Sequence, residues 1–178
     1  MYNIDPKVLK NIEVSEKITI NDAVIRAIAD AIAHPSWKMH ASGLKDAFTE
    51  VSKYSNLRVL LAFTAVAEGC PYCVALKKEV FDTTAFGWWA WNNGMILANI
   101  DFDCFPGAPS CNPPPADVAA YNQYKGNGFP TVIIFNSKGT ECGRYVGYNP
   151  GTGVTAYTTQ LGVKANLHVS GGPCNRGW

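Results

Sequence analysis

Two cysteines separated by two residues, Cys70 and Cys73, are the residues of this sequence best suited to chemistry. They follow an apolar stretch, residues 57–65, and open a segment whose apolar residues have helical spacing. The first N–H groups of a helix are unpaired and carry partial positive charge, so a thiolate is stabilised there and the pKa of the thiol falls. Pro71 fits the first helical turn because its missing N–H costs no helix hydrogen bond. The pattern predicts a dithiol that cycles between reduced and oxidised forms.

Within this dithiol, Cys70 is assigned as the attacking thiol, because it is the N-terminal one and is expected to be the more exposed. Cys73, one turn further into the helix, is assigned as the resolving thiol. The competing interpretation is half of a zinc site, which needs a second ligand pair at suitable spacing. The other cysteines and the three histidines are scattered along the chain, so no metal and no cofactor are expected.

A second candidate feature is the segment 128–131, Gly-Phe-Pro-Thr, which directly precedes a predicted strand. A proline at the start of a central strand is unfavourable unless its peptide bond is cis. A cis bond would leave the backbone groups of Phe129 facing outward, where they could pair with an extended substrate. An ordinary trans proline that starts a strand is the alternative. Pro71, Tyr72, Phe129 and Pro130 are therefore the predicted substrate-contacting residues.

Four cysteines lie outside the dithiol: Cys104, Cys111, Cys142 and Cys174. They allow three pairings, and all are predicted to serve structural disulfides. The favoured pairing joins Cys104 to Cys111, which would contribute about 2–3 kcal/mol through loop entropy, and Cys142 to Cys174, which would pin the tail to a strand. A second redox relay through Cys104 and Cys111 is the functional alternative. An even cysteine count with low charge favours an oxidising compartment over six free thiols in the cytosol.

Composition restricts the class of protein further. A chain of 178 residues predicts about one domain, and its 47% apolar content fits a globular protein and excludes a disordered one. Fifteen basic against fourteen acidic side chains leave a net charge of +1, so neither nucleic acid nor an anionic membrane is an expected partner. The longest apolar run, residues 59–67, is too short to span a membrane. Residues 1–10 have no apolar signal core. Either a signal peptide was removed or none existed, and the expected periplasmic or extracellular location requires the former.

The order of predicted elements indicates an α/β fold. Strands are predicted over residues 57–65, 95–102, 131–135 and 141–146. Helices are predicted over residues 22–34, 42–54, 74–81, 84–92, 116–124 and 151–161. Alternation of strands and helices implies parallel crossovers, and the turn at 136–139 adds an antiparallel edge. We expect a central mixed sheet flanked by helices (37–165), with an N-terminal helical extension (1–36) and a Gly-rich tail (166–178).

Taken together, these motifs resemble the thioredoxin family over roughly residues 37–161. The matching residues are CVALKKEVF at 73–81, the aspartates at the end of the second strand (101–103), Phe-Pro-Thr followed by Val-Ile-Ile-Phe at 129–135, and Lys-Gly at 138–139. The sequence is most similar to secreted or periplasmic thioredoxin-like proteins, such as the C-terminal domain of the membrane electron-carrying disulfide reductase. The resemblance implies a thioredoxin fold with Cys70 as nucleophile, Cys73 as resolving thiol and Pro130 as a cis-proline beside them.

The sequence departs from thioredoxin in two ways. Pro-Tyr stands between the cysteines where thioredoxin has Gly-Pro, as in glutaredoxins, and this leaves the reduction potential and the direction of electron flow open. Thioredoxin also has a buried aspartate before the motif, and the matching positions are Ala62 or Thr64. Proton transfer to Cys73 must therefore use another group or water. Glu68 is the nearest carboxylate in sequence, and the alternative is that it is a solvated loop residue.

The resulting hypothesis is a thiol–disulfide oxidoreductase that acts on protein disulfides and exchanges electrons with a redox partner protein. Two alternatives stay open. One is a binding module with this fold, in which the Cys70–Cys73 disulfide is structural. The other is a glutathione-dependent, glutaredoxin-like enzyme, which Pro71 and Tyr72 suggest but for which no glutathione-binding pattern follows the proline.

Overall fold

The computed structural model describes residues 35–106, 108, 111–167 and 174, and the helix predicted at 22–34 lies outside them. The strands are β1 (Trp37–Met39), β2 (Arg58–Thr64), β3 (Met95–Asp101), β4 (Thr131–Asn136) and β5 (Glu141–Val146). The helices are α1 (His40–Val51), α2 (Pro71–Leu76), α3 (Thr84–Asn92), α4 (Pro115–Gln123) and α5 (Gly153–Lys164), and a π-helical turn, Lys77–Phe81, continues α2. The division into extension, domain and tail stays a prediction, because most of both ends lies outside the described residues.

The five strands form one mixed sheet in the order β1-β3-β2-β4-β5. Strands β1 and β2 run parallel to β3, whereas β4 runs antiparallel to β2 and to β5. All seven residues of β2 are buried, as expected for a central strand of Val, Leu and Phe that is covered on both faces. The predicted mixed sheet flanked by helices is confirmed.

Helices cover both faces of the sheet, because successive side chains of a strand point to opposite faces. On one face, Leu60 and Ala62 pack with side chains of α2, the π-helical turn, α3 and α5. On the other face, Val59, Leu61 and Phe63 pack with side chains of α1 and α4. The two apolar clusters fix β2 from both sides, and β2 leads directly into the dithiol segment.

A buried carboxylate joins the two helices of the second face. Asp117 of α4 is 2% exposed and accepts hydrogen bonds from the backbone N–H of Ala41 (2.7 Å) and from Nδ1 of His40 (2.9 Å). Met39 makes no side-chain cap for α1, so Asp117 satisfies one of the unpaired N–H groups at the start of that helix. Helix α1 is thereby held against α4.

The opposite end of β2 is closed by a buried cation. The Arg58 guanidinium donates to the backbone carbonyl of Asn93 (2.9 Å) and, through Nε (2.8 Å) and Nη2, to the carbonyl of Cys174. A buried charge is tolerated only with such partners. Cys174 in turn forms a disulfide with Cys142 of β5. Cys174 is therefore held at the end of the sheet away from the dithiol.

Several elements differ from the prediction, most of them by one to three residues at an end. Strand β1 was missed, because three residues are too few to show a period of two. Helix α1 begins at His40, two residues before the predicted start, and α5 covers Gly153–Lys164 rather than 151–161. Among the described residues, no helix has both the length and the apolar content needed to cross a lipid bilayer.

Candidate active site

The dithiol lies where the central strand passes into a helix. After β2 ends at Thr64, residues 65–69 form a turn, and Cys70 is the N-cap of α2. Its carbonyl accepts the N–H of Val74 (3.0 Å), and its Sγ lies 3.3 Å from the N–H of Cys73, which points at it. Pro71 occupies the first turn of the helix, where no hydrogen bond is lost. The N–H group of Cys73, at the helix start, is thus directed at the sulfur of Cys70.

Cys70 and Cys73 are joined in a disulfide, with their Cα atoms 5.3 Å apart. Cys70 is 5% exposed and Cys73 is fully buried, so Cys70 is the more accessible of the two cysteines. Tyr72, between them, is 52% exposed. The oxidised pair therefore lies just below the surface, and the tyrosine between the two cysteines in sequence is exposed.

The segment around Pro130 lies against the dithiol, although 59 residues separate it from Cys70 in sequence. The Phe129–Pro130 peptide bond is cis, and the carbonyl oxygen of Phe129 lies 3.9 Å from Sγ of Cys70. The Pro130 carbonyl accepts the N–H of Gly147 (2.7 Å), and Thr131 Oγ1 donates to the Gly128 carbonyl (2.7 Å). These bonds hold the Phe129 backbone beside the sulfur of Cys70.

One residue at the site, Asp101, was noted in the sequence only as the end of a strand. Thr64 and Asp101 are register partners on β2 and β3, and Thr64 Oγ1 donates to Asp101 Oδ1 (2.7 Å). The same oxygen accepts the N–H of Val66 (2.8 Å), the second residue of the turn that leads to Cys70. Glu68 is exposed on that turn, which fits its interpretation as a solvated loop residue. Asp101 reaches the turn that leads to Cys70 through the pairing of β2 with β3, which its position in the sequence does not show.

A second carboxylate fixes the far side of the dithiol helix. Glu79, in the π-helical turn, accepts hydrogen bonds from the Tyr148 hydroxyl (2.6 Å) and the N–H of Gly151 (2.8 Å). These hydrogen bonds lower the pKa of Glu79. Burial, together with the hydrogen bond to Glu79, raises the pKa of Tyr148 to about 12. The pair ties the dithiol helix to the segment between β5 and α5.

The other four cysteines are also paired. Cys104 is joined to Cys111, with Cα atoms 5.5 Å apart, and Cys142 to Cys174, with Cα atoms 5.8 Å apart. This is the pairing favoured from the sequence, and all six cysteines are thus in disulfides. Within the part of the chain that the structure describes, no three His, Cys, Asp or Glu side chains cluster so as to hold a metal ion.

A mixed sheet whose central strand leads into a C-x-x-C helix, with an X-Pro segment beside it, defines a protein of the thioredoxin-fold class. The chain matches the thioredoxin-like domain family over residues 44–162, about two thirds of its length, and belongs to that family.

Solved structures agree in fold. DsbH oxidoreductase is 21% identical, with a TM-score of 0.59 over 89% of this chain and 99% of that one. The oxidised C-terminal domain of DsbD from Neisseria meningitidis is 16% identical, with a TM-score of 0.53 over 72% of this chain and 99% of that one. A thioredoxin from Thermus thermophilus is 19% identical, with a TM-score of 0.51 over 74% of this chain and 92% of that one. No curated protein sequence gave a significant match.

Proposed function

We propose that this protein is a thiol–disulfide oxidoreductase that acts on protein disulfides through the Cys-Pro-Tyr-Cys dithiol. The observation that carries the proposal is the position of Cys70: its sulfur caps the start of α2 and lies 3.9 Å from the Phe129 carbonyl oxygen. A sulfur at a helix start is stabilised as a thiolate, which is the nucleophilic form. The adjacent backbone at Phe129 can pair with an extended polypeptide.

The reaction is a reversible two-step exchange. In the reducing direction, the Cys70 thiolate attacks one sulfur of a substrate disulfide, the substrate S–S bond breaks, and one substrate thiolate leaves. Cys73, as a thiolate, then attacks Cys70 in the mixed disulfide and releases the second substrate thiolate. Two electrons pass to the substrate, and the Cys70–Cys73 disulfide seen here is the product. The same steps in reverse oxidise a substrate dithiol.

In this mechanism, Pro71 and Tyr72 form the exposed surface around the sulfur, and Phe129 and Pro130 form its other side. The different burial of the two cysteines supports different roles for their sulfurs. Cys73 is fully buried, so an incoming protein disulfide reaches Cys70 first, and Cys73 acts only once the mixed disulfide has formed.

The location that fits this function is periplasmic or extracellular. All six cysteines are in disulfides, and disulfides of this kind persist in oxidising compartments. A protein that is reoxidised or rereduced after each turnover also needs a redox partner protein there. The similarity in fold to DsbH, which is named as an oxidoreductase, supports a redox function for this chain.

The test is to trap the intermediate. The reduced Cys73→Ser variant, mixed with a peptide that contains one disulfide, is expected to accumulate a covalent adduct at Cys70, because the resolving step is blocked. The adduct is read by mass spectrometry under non-reducing conditions, with the double variant Cys70→Ser/Cys73→Ser as control. Absence of the adduct, or full activity of a Cys70→Ser variant, would show that the dithiol is structural and that the protein is a binding module.

A further inference from the structure

An exposed aromatic ring extends the site beyond the residues already assigned. Phe105 directly follows Cys104, in the loop between β3 and α4 that the Cys104–Cys111 disulfide closes, and its side chain is 40% exposed. Its ring centroid lies 5.6 Å from that of Phe129. Phe129 in turn presents its carbonyl oxygen to Cys70. Phe105 is thus one aromatic contact away from the reacting sulfur.

The ring of Phe129 packs against two further aromatic rings, and these contacts fix the position of the Phe105–Phe129 pair. The Phe129 ring stacks on Tyr121 with centroids 5.2 Å apart and an interplanar angle of 17°, and meets Phe102 at 5.5 Å. The Tyr121 hydroxyl also accepts the N–H of Gly128, the residue before Phe129 (3.1 Å). Phe105 is the outermost and most exposed ring of this group. A large exposed aromatic ring that packs at a tilt of 49° against a fixed neighbour is a surface suited to binding another apolar side chain.

The charges around the site restrict what can bind there. The segments 64–73, 101–106 and 127–131 contain Glu68, Asp101 and Asp103, and no lysine or arginine. Asp101 is hydrogen-bonded within the protein, whereas Glu68 and Asp103 are exposed. The local field is therefore negative and disfavours an acidic substrate segment.

We propose that Phe105 and Phe129 form a subsite that selects extended polypeptide substrates with an aromatic side chain close to the reacting cysteine. This inference rests on the proposed function and adds a substrate class to it. The Phe129 backbone aligns the substrate strand, and the strand places a side chain on the Phe105 ring. The Cys104–Cys111 disulfide holds Phe105 in place, and on this view its role is to shape specificity and not to carry electrons.

The test compares three disulfides as substrates of the reduced protein. Two are peptides of identical sequence except for Trp or Ser next to the disulfide-bonded cysteine, and the third is 2-hydroxyethyl disulfide, which is too small to reach Phe105. Wild type is expected to prefer the Trp peptide about tenfold in kcat/KM, because one apolar contact in a site gives discrimination of this order. Phe105→Ala is expected to reduce the preference to below about twofold, and Phe105→Tyr to keep it. Rates with 2-hydroxyethyl disulfide stay unchanged in both variants.

Tyr54→Ala is the matched control, because Tyr54 is a similarly exposed aromatic residue that precedes β2, at the opposite end of that strand from Cys70. It is expected to retain the preference of wild type. Equal rates of wild type with both peptides, or an unchanged preference in Phe105→Ala, would overturn the inference and leave the proposed function intact. Failure of wild type to react with any of the three disulfides would instead refute the proposed function.

Discussion

Thr64 and Asp101 show how the site depends on single hydrogen bonds. The carboxylate of Asp101 accepts from a buried hydroxyl and from the Val66 N–H, and so fixes the start of the turn that carries Cys70. At the position where thioredoxin has its buried aspartate, β2 offers only Ala62 or Thr64. The carboxylate that contacts Thr64 is that of Asp101, on the neighbouring strand β3.

Replacement of Asp101 by alanine is expected to lower the free energy of unfolding by about 2 kcal/mol, because the Val66 N–H loses its acceptor and the Thr64 hydroxyl keeps only its longer bond to Asn99 Oδ1 (3.1 Å). Thr64→Val removes only one of the two hydrogen bonds to Asp101 and should cost about 1 kcal/mol. Urea unfolding of the oxidised protein measures both. Asp103→Ala is the control, since Asp103 is exposed just beyond the same strand, and a change within about 0.5 kcal/mol is expected. Equal losses in Asp101→Ala and Asp103→Ala would contradict the assignment.

At this scale, the sequence predicts the parts of the site that have local signals. Cys70 and Cys73 are recognisable by their spacing, and Phe129 with Pro130 by a proline at a strand head. Asp101 acts through strand register, and Phe105 through a ring contact with a residue 24 positions away. Neither property leaves a local pattern, so no motif in the sequence could reveal these roles.

Among the secondary-structure elements too, those with local sequence signals were predicted and those without such signals were not. Helix α3 and strand β5 have the predicted bounds, because caps and alternation mark their ends. The Thr83 hydroxyl, for example, accepts the N–H of Phe86 at the start of α3 (3.2 Å). The π-helical turn at Lys77–Phe81 was not predicted, since its apolar residues fit an α-helical spacing nearly as well. This turn carries Glu79, whose partners lie more than 60 residues further along the chain.

The Glu79–Tyr148 contact predicts a pH dependence. Because hydrogen bonds lower the pKa of Glu79 below its ordinary value of 4.5, the stabilisation is complete above that pH and is lost as the pH falls through the folded-state pKa. Tyr148→Phe removes the hydroxyl. The urea midpoint of this variant should therefore lie below that of wild type at about pH 6, and the difference should shrink towards about pH 3.

Tyr145→Phe is the control for this experiment, because the Tyr145 hydroxyl donates to the neutral side chain of Gln160 (2.6 Å). Its effect on the urea midpoint should not change with pH over the same range. A difference between Tyr148→Phe and wild type that is equally large at both pH values would show that Glu79 is not the group that titrates.

In the molecule as a whole, the two disulfides outside the dithiol connect different parts of the chain. The Cys104–Cys111 disulfide joins residues 7 positions apart, whereas the Cys142–Cys174 disulfide joins residues 32 positions apart. The second disulfide also holds Cys174 at the buried side chain of Arg58. The pairing of the four cysteines was open in the sequence, because spacing alone allows three connectivities. The contact between Arg58 and Cys174 leaves no local pattern in the sequence, because the two residues lie 116 positions apart.

Removal of the Cys142–Cys174 disulfide by serine substitution at both positions is expected to destabilise the protein more than the same change at Cys104 and Cys111. Loop entropy alone makes a difference of about 1 kcal/mol, and a released tail also deprives Arg58 of an acceptor. Urea unfolding under non-reducing conditions compares the two double variants. An equal or smaller loss for the Cys142/Cys174 variant would show that the tail contributes nothing to the fold.

All cysteines of the oxidised protein are in disulfides, so a thiol-specific alkylating reagent has no thiol to modify in the native state. Each bridge opened by a mild dithiol exposes two alkylation sites, so the mass added by labelling counts the opened bridges directly. Peptide mapping of those labels then orders the three bridges by lability, without any knowledge of a physiological substrate.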